Sequence, residues 1–214
     1  MPQPFIYQNN NNDVLIHGVH ALEQRPALSI GIAKICTQWS WLEQNLAILF
    51  VNALAGAQGA ALAIYNTFVD RRLKSEAFKA VIAARKSDEL NQKSGALFIN
   101  VDKLAKRRNY IIHGAWSALE RRPNSLLLWG QTERANRLFE IDNDLRERQD
   151  NNLARSRGEL ADSEWNEKRK IHTISVKPLH FTEYTAADFD QLLLDIRKSD
   201  AQIAEISNLL RLPL

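Results

Sequence analysis

Residues 27–53, ALSIGIAKICTQWSWLEQNLAILFVNA, decide the fold class of this chain. Their large apolar side chains recur at alternating spacings of four and three residues, which places them in one stripe along a helix. At 1.5 Å per residue such a helix is about 40 Å long, the scale of a helix in a bundle. The stretch therefore predicts a long amphipathic helix with the stripe Leu28, Ile32, Ile35, Trp39, Leu42, Leu46, Leu49 and Ala53.

Two downstream stretches predict further helices. Residues 60–86 predict a second helix with a kink or break near Ser75. Residues 87–118 predict a third helix, and its apolar stripe contains one charged residue, Arg108. The third stripe comprises Leu97, Val101, Leu104, Arg108, Ile111, Ala115 and Ala118.

The region before the last helix departs from this periodicity. Residues 143–170 are dense in charge of both signs, which is typical of a solvated helix or loop. Thr185 and Asp188 resemble a capping box that opens a closing helix, with Asp in place of the usual Glu or Gln. Short strands are expected at residues 125–130, 135–141 and 171–176.

These patterns together predict a mainly α protein. We expect an antiparallel four-helix up-and-down bundle with a small β-hairpin or sheet insertion before the last helix. The bundle would comprise residues 27–120 plus 185–214. Residues 1–26 lack a sustained period and are expected to form an N-terminal arm, and residues 121–184 form the strand-bearing, charged insertion.

Composition narrows the class of function. The 214 residues are 45% hydrophobic and 25% charged, which excludes a chain that is disordered throughout. The net charge of +3, from 28 basic and 25 acidic residues, is too small for a protein that coats DNA, so nucleic-acid binding would be local. Cys36 is the single cysteine, which suits the reducing cytoplasm. Apolar segments are too short to span a membrane, and the first residues do not resemble a secretory signal.

The most informative segment is KRRNYIIHGAW, residues 106–116. Asn109 and His113 are four residues apart, so a helix presents the amide and the imidazole on one face. Arg108 lies about 140° from His113 around a helix, on the apolar stripe. A buried guanidinium needs a carboxylate, a cleft or a phosphate, because it cannot lose its proton. One alternative is therefore a structural ion pair between Arg108 and Glu43 of the first helix.

The segment RNYIIHG, residues 108–114, resembles the R-polar-x(3 to 5)-H signature of the HEPN superfamily, the higher eukaryote and prokaryote nucleotide-binding domains. WSWLEQNL, residues 39–46, is similar to the first helix of uncharacterised bacterial HEPN-like proteins. The resemblance covers residues 27–118 and the closing helix, and it does not extend to the insertion. Some toxin members carry a modified tyrosine two residues after the histidine, where this chain has Ala115.

The resemblance implies RNA cleavage without a metal or another cofactor, at a cleft shared by two copies in a homodimer. His113 would be the general base or acid toward the ribose 2′-hydroxyl or the leaving 5′-oxygen, because imidazole titrates near working pH. Arg108 would stabilise charge on the scissile phosphate, and Asn109 would orient His113 or a phosphate oxygen. In-line attack would leave a 2′,3′-cyclic phosphate.

Other residues are candidates for support of this site or for RNA binding. Basic side chains near the motif would line an RNA path, and an indole would stack on a base. Solubilising surface charge and core packing are the alternative roles for the same residue types. The candidates are Glu43, Arg71, Arg72, Lys106, Arg107 and Trp116.

Three hypotheses of function remain open from the sequence. The first is a metal-independent endoribonuclease, in a toxin–antitoxin or phage-defence setting with an antitoxin protein as partner. The second is a non-catalytic HEPN-like module that binds nucleotide or RNA, and the third is a helical interaction or scaffold protein. His17 and His20 are three residues apart, but nearby ligands do not complete a metal site around them.

Overall fold

A computed structural model describes residues 1–7, 14–56, 58–158 and 179–211 of the chain. The described part is mainly helical and contains one antiparallel five-stranded sheet. In chain order its elements are β1 (Gln3–Tyr7), β2 (Leu15–His17), α1 (Val19–Glu23), α2 (Pro26–Leu54), α3 (Gln58–Thr67), α4 (Arg71–Ala83), α5 (Asp88–His113), β3 (Ala115–Leu119), β4 (Ser125–Trp129), α6 (Gln131–Ser156), β5 (Leu179–Thr185) and α7 (Ala186–Arg211).

The chain divides into two compact units. The sheet unit comprises Met1–Pro26 and His113–Thr185, and the helical unit comprises Ala27–Ile112 and Ala186–Leu214. The predicted N-terminal arm and the predicted insertion therefore belong to one unit. None of the described helices combines the length and the hydropathy that crossing a membrane requires.

Helix α2 forms where the sequence predicts it, and its apolar stripe faces the core of the helical unit. Seven of the eight predicted stripe residues are buried, and Ile32 is half-buried. Gly31 allows a close approach to α7, because a β-carbon at this position would lie 3.0 Å from Cδ2 of Phe189. Phe189 is itself fully buried, so the two helices are in tight contact here.

The predicted second helix is two helices, and the break lies before Arg71 instead of near Ser75. Asp70 caps α4, because its side chain accepts a hydrogen bond from the backbone N–H of Arg72 at 2.7 Å. Ser75 lies inside α4 and is buried. An N-cap such as Asp70 satisfies the free backbone N–H groups of the first turn and so favours the start of a new helix at that point. A serine in the interior of a helix, such as Ser75, does not interrupt it.

The helix directions follow from pairs of residues that touch. Lys93 pairs with Glu205, and Arg107 pairs with Asp195, so α5 and α7 are antiparallel. Gly31 lies against Phe189 and Asn45 donates to Asp200 at 3.1 Å, so α2 and α7 are parallel. An up-and-down four-helix bundle makes its first and last helices antiparallel, and that arrangement is therefore not confirmed.

The sheet unit has the strand order β1-β5-β4-β3-β2, and each neighbouring pair is antiparallel. Both edge strands, β1 and β2, come from residues 1–26, where the sequence predicts an N-terminal arm. Strand β4 is central, and its first four residues are buried on both faces. One face packs the cluster Tyr7, Leu119, Leu127 and Phe181.

Two assignments near the sheet unit were wrong, and one lies outside the described residues. Residues 115–118 were predicted to end the third helix, but they belong to strand β3. The third helix, α5, ends at His113, directly before Gly114. Residues 135–141 lie in helix α6 and not in a strand, because seven residues are too few to separate the two periods. The strand predicted at residues 171–176 falls outside the described part of the chain.

Candidate functional site

The motif occupies the last two turns of α5. Val101, Leu104 and Ile111 are buried and fix this part of the helix to the core of the helical unit. Asn109 and His113 are exposed and lie one turn apart, as the sequence predicts for one helix face. The amide and the imidazole are therefore accessible together at the end of a well-anchored helix.

Arg108 is half-buried and has an incomplete set of partners. Its Nη1 donates a hydrogen bond to Oδ1 of Asn109 at 2.9 Å. Its Nε is buried and has no hydrogen-bond partner among the described residues. A buried N–H without an acceptor is costly, and the cost is largest on a charged group. The residue as a whole is half-buried, so the accessible N–H groups of the guanidinium can donate to an anion such as a phosphate.

The structural alternative for Arg108 depended on Glu43. Glu43 is exposed, and the described part of the chain contains no ion pair between it and Arg108. Its charge acts on Tyr65, where burial and then the charge of Glu43 raise the pKa of the phenol to about 12. Lys74 stands over the same ring, with its Nζ 4.7 Å from the ring centroid.

Arg71 and Arg72 are neighbours with different environments. Arg71 donates to the backbone oxygen of Val101 at 3.0 Å, pairs with Asp102, and lies 5.6 Å from the ring centroid of Trp39. These contacts tie α4 to α5 and α2, so Arg71 contributes to packing of the helical unit. The side chain of Arg72 is exposed and remains accessible to a ligand.

The remaining candidates, Lys106, Arg107 and Trp116, differ in exposure and in contacts. Lys106 is exposed, whereas Arg107 is half-buried and donates from Nη1 to Oδ2 of Asp195 at 2.9 Å. Trp116 lies on β3, is 6% exposed and packs edge-on against Tyr184 with ring centroids 5.4 Å apart. An indole in this position presents too little surface to stack on a base, so its observed role is packing of the sheet unit.

The histidine pair of the N-terminal region does not converge. Nδ1 of His17 lies 2.7 Å from Oγ of Ser117, whereas Nδ1 of His20 lies 2.9 Å from Oε2 of Glu23. Partial burial, and secondly the positive charge of Arg134, lower the pKa of His17. No group of three or more His, Cys, Asp or Glu side chains is arranged as a metal site within the described ranges.

Lys198 lies beside the candidate residues but was not predicted from the sequence. Lys198 on α7 lines the same cleft as Lys103 and Arg107 on α5. Its only sequence signal is an exposed position on an amphipathic helix, which charged residues commonly occupy. Its proximity to Arg107 depends on the antiparallel packing of the two helices.

No protein-family model, curated protein sequence or solved structure matches this chain significantly.

Proposed function

We propose that this chain is a metal-independent endoribonuclease of the HEPN type, acting at a cleft that two copies form together. The observation that carries the proposal is the end of α5. Asn109 and His113 are exposed on one face there, and Arg108 holds a buried Nε–H with no acceptor among the described residues. In transesterification of a phosphodiester, an imidazole can transfer the proton, a guanidinium can stabilise the developing charge, and an amide can position either group.

The reaction assigns one role to each group. His113 takes the proton of the ribose 2′-hydroxyl, and the 2′-oxygen attacks phosphorus in line with the leaving 5′-oxygen. Arg108 stabilises the negative charge that grows on the phosphoryl oxygens, and Asn109 fixes Arg108 through the 2.9 Å hydrogen bond. The P–O5′ bond breaks as the 5′-oxygen takes a proton from a second imidazole. The products are a 2′,3′-cyclic phosphate and a 5′-hydroxyl.

A homodimer supplies that second imidazole. Arg108 and His113 are about 140° apart around α5, so one helix does not direct both side chains to the same point. Two copies related by a twofold axis bring two histidines and two arginines to one cleft. The proposal accordingly includes a homodimer and RNA as partners.

The second candidate is a non-catalytic module that binds RNA or a nucleotide. It is favoured by the separation of Arg108 from His113 within one chain, since binding does not need these groups to converge. The two candidates differ in one readout, which is whether RNA is broken. A cytoplasmic toxin or phage-defence role with an antitoxin partner belongs to the first candidate, and the single cysteine fits that compartment.

Cleavage in EDTA tests the proposal. Structured and single-stranded RNA are incubated with the wild type, with His113→Ala and with His20→Ala, an exposed histidine outside the motif. We expect cleavage by the wild type and by His20→Ala, with 2′,3′-cyclic phosphate ends, and a loss of at least about a hundredfold in His113→Ala. Equal cleavage by all three proteins, or cleavage by none, removes the enzymatic assignment.

A further inference from the structure

A cleft of about 310 Å³ lies between α5 and α7 in the helical unit. Lys103 and Arg107 line it from α5, and Lys198 lines it from α7. Asp195 is the single carboxylate among the lining residues. Three cationic side chains against one carboxylate leave the cleft with two excess positive charges, in a chain whose net charge is only +3.

The carboxylate of Asp195 is already occupied by hydrogen bonds. Its Oδ2 accepts from Nη1 of Arg107 at 2.9 Å, and its Oδ1 accepts from Nε2 of Gln191 at 2.8 Å. Nζ of Lys198 is 3.9 Å from Oδ1, at the outer limit of an ion pair. Asp195 therefore fixes the position of Arg107 and leaves Lys198 available to another anion.

The other cationic group of the cleft is not neutralised by a neighbour. Lys103 is exposed and makes neither a hydrogen bond nor an ion pair with any residue that the structure describes. Asn100 donates to Oε1 of Gln202 at 3.3 Å, which leaves the amide N–H groups of Gln202 as donors. Leu104 is 5% exposed and supplies an apolar wall. Cations, amide donors and an apolar wall thus line one concave site.

We propose that this cleft binds a phosphate group, carried by a mononucleotide or by the backbone of RNA. Phosphate oxygens accept charge-assisted hydrogen bonds, and the ammonium groups of Lys103 and Lys198 and the remaining N–H groups of Arg107 supply the donors. Ligand pockets begin at about 300 Å³, so a nucleotide is of matching size. The RNA source rests on the proposed function, whereas phosphate binding does not depend on cleavage.

Two double variants test the proposal. Lys103→Gln with Lys198→Gln removes two charges from the cleft. Lys34→Gln with Arg197→Gln removes two exposed charges from the groove on the α2 side of α7, which makes it a matched control. The probes are adenosine monophosphate and a 2′-O-methyl oligoribonucleotide, which has no 2′-hydroxyl to attack. Binding is measured by NMR titration and by fluorescence anisotropy at several salt concentrations.

We expect the cleft variant to bind at least one probe at least about fivefold more weakly, and the control to change by less than about twofold. For the oligonucleotide, the logarithm of the binding constant falls linearly with the logarithm of the salt concentration. The loss of two phosphate contacts should reduce the magnitude of this slope by about 1.4. Loss confined to one probe identifies the source of the phosphate. Equal loss in both double variants, or no binding of either probe by the wild type, overturns the proposal. Cleavage is not part of the readout, so an inactive protein leaves this test intact.

Discussion

Nη1 of Arg108 donates a hydrogen bond to Oδ1 of Asn109 at 2.9 Å, between consecutive residues of one helix. The contact holds the guanidinium at the end of α5, and its buried Nε remains without an acceptor among the described residues. Asn109 is thereby a positioning residue for Arg108, in addition to sharing a helix face with His113.

Replacement of Asn109 tests this relationship through the proposed RNA cleavage. Asn109→Ala removes the acceptor, and we expect the single-turnover rate to fall about tenfold, which corresponds to about 1.4 kcal/mol, close to the lower end of the values for a hydrogen bond to a charged group. Asn109→Gln keeps a side-chain carbonyl and should recover part of the rate. Equal rates in both variants would show that the hydrogen bond does not position Arg108.

Arg71 is expected to stabilise the helical unit, and Arg72 is not. Arg71→Ala removes the hydrogen bond to Val101, the ion pair with Asp102 and the contact with Trp39, so the free energy of unfolding should fall by about 1–3 kcal/mol. Arg72→Ala should change it by less than about 0.5 kcal/mol, because this side chain is exposed. Urea unfolding of both variants measures the difference. Equal effects would contradict the assigned roles.

Substitution of Gly31 and of Gly95 by alanine compares a crowded with an open position on a helix. A methyl group at Gly31 meets the buried ring of Phe189, whereas a β-carbon at Gly95 has no neighbouring atom within 4 Å. Gly31→Ala should destabilise, because overpacking costs about 1–3 kcal/mol and exceeds the gain of about 1 kcal/mol in helix propensity. Gly95→Ala should stabilise by about 0.5–1 kcal/mol. Thermal unfolding would contradict this argument if both changes shifted the midpoint in the same direction.

The environment of His17 predicts a dependence of stability on pH. His17 as a whole is exposed, but its Nδ1 lies 2.7 Å from the hydroxyl of Ser117, which is buried. Partial burial of the imidazole, and secondly the positive charge of Arg134, lower the pKa of His17. The unfolded chain therefore binds a proton below its usual pKa of about 6.5 while the folded chain does not. We expect the free energy of unfolding to decrease as pH falls from 7.5 through 6.5 toward the lowered pKa.

Two variants isolate this contribution. His17→Gln should have a smaller decrease over the same pH range, because glutamine does not titrate. Arg134→Gln should raise the pKa of His17 toward its usual value, which an NMR titration of the imidazole measures directly. An unchanged pKa in Arg134→Gln would remove the electrostatic part of the explanation.

Strand β1 is expected to contribute to the core of the sheet unit. Tyr7 is 5% exposed and packs with Leu119 and Phe181, whereas Ile6 on the same strand is 55% exposed. Tyr7→Ala should lower the free energy of unfolding by about 3 kcal/mol, and Ile6→Ala by less than about 1 kcal/mol. Chemical unfolding followed by tryptophan fluorescence suits this test, because Trp116 and Trp129 lie in the sheet. A larger effect of Ile6→Ala would contradict the observed register.

The sequence predicts the helices better than the strands. The period of α2 is visible within a few turns, because each apolar residue is near the next in the chain. The positions of β1 and β2 have no comparable signal, because their partners are a hundred or more residues away, as with Phe5 opposite Phe181. At residues 135–141 the sequence predicts a strand that does not form. This short segment alternates like a strand, but it belongs to the longer helix α6.

The sequence by itself determined that this protein is mainly helical and that Asn109 and His113 share a helix face. Both follow from the local period of 3.6 residues, which needs no distant partner. Only the tertiary structure decided that residues 3–7 and 15–17 complete a sheet and that Lys198 lies at a cleft with Lys103 and Arg107. Strand pairing and helix packing join residues far apart in the chain, and their register depends on which buried surfaces fit together.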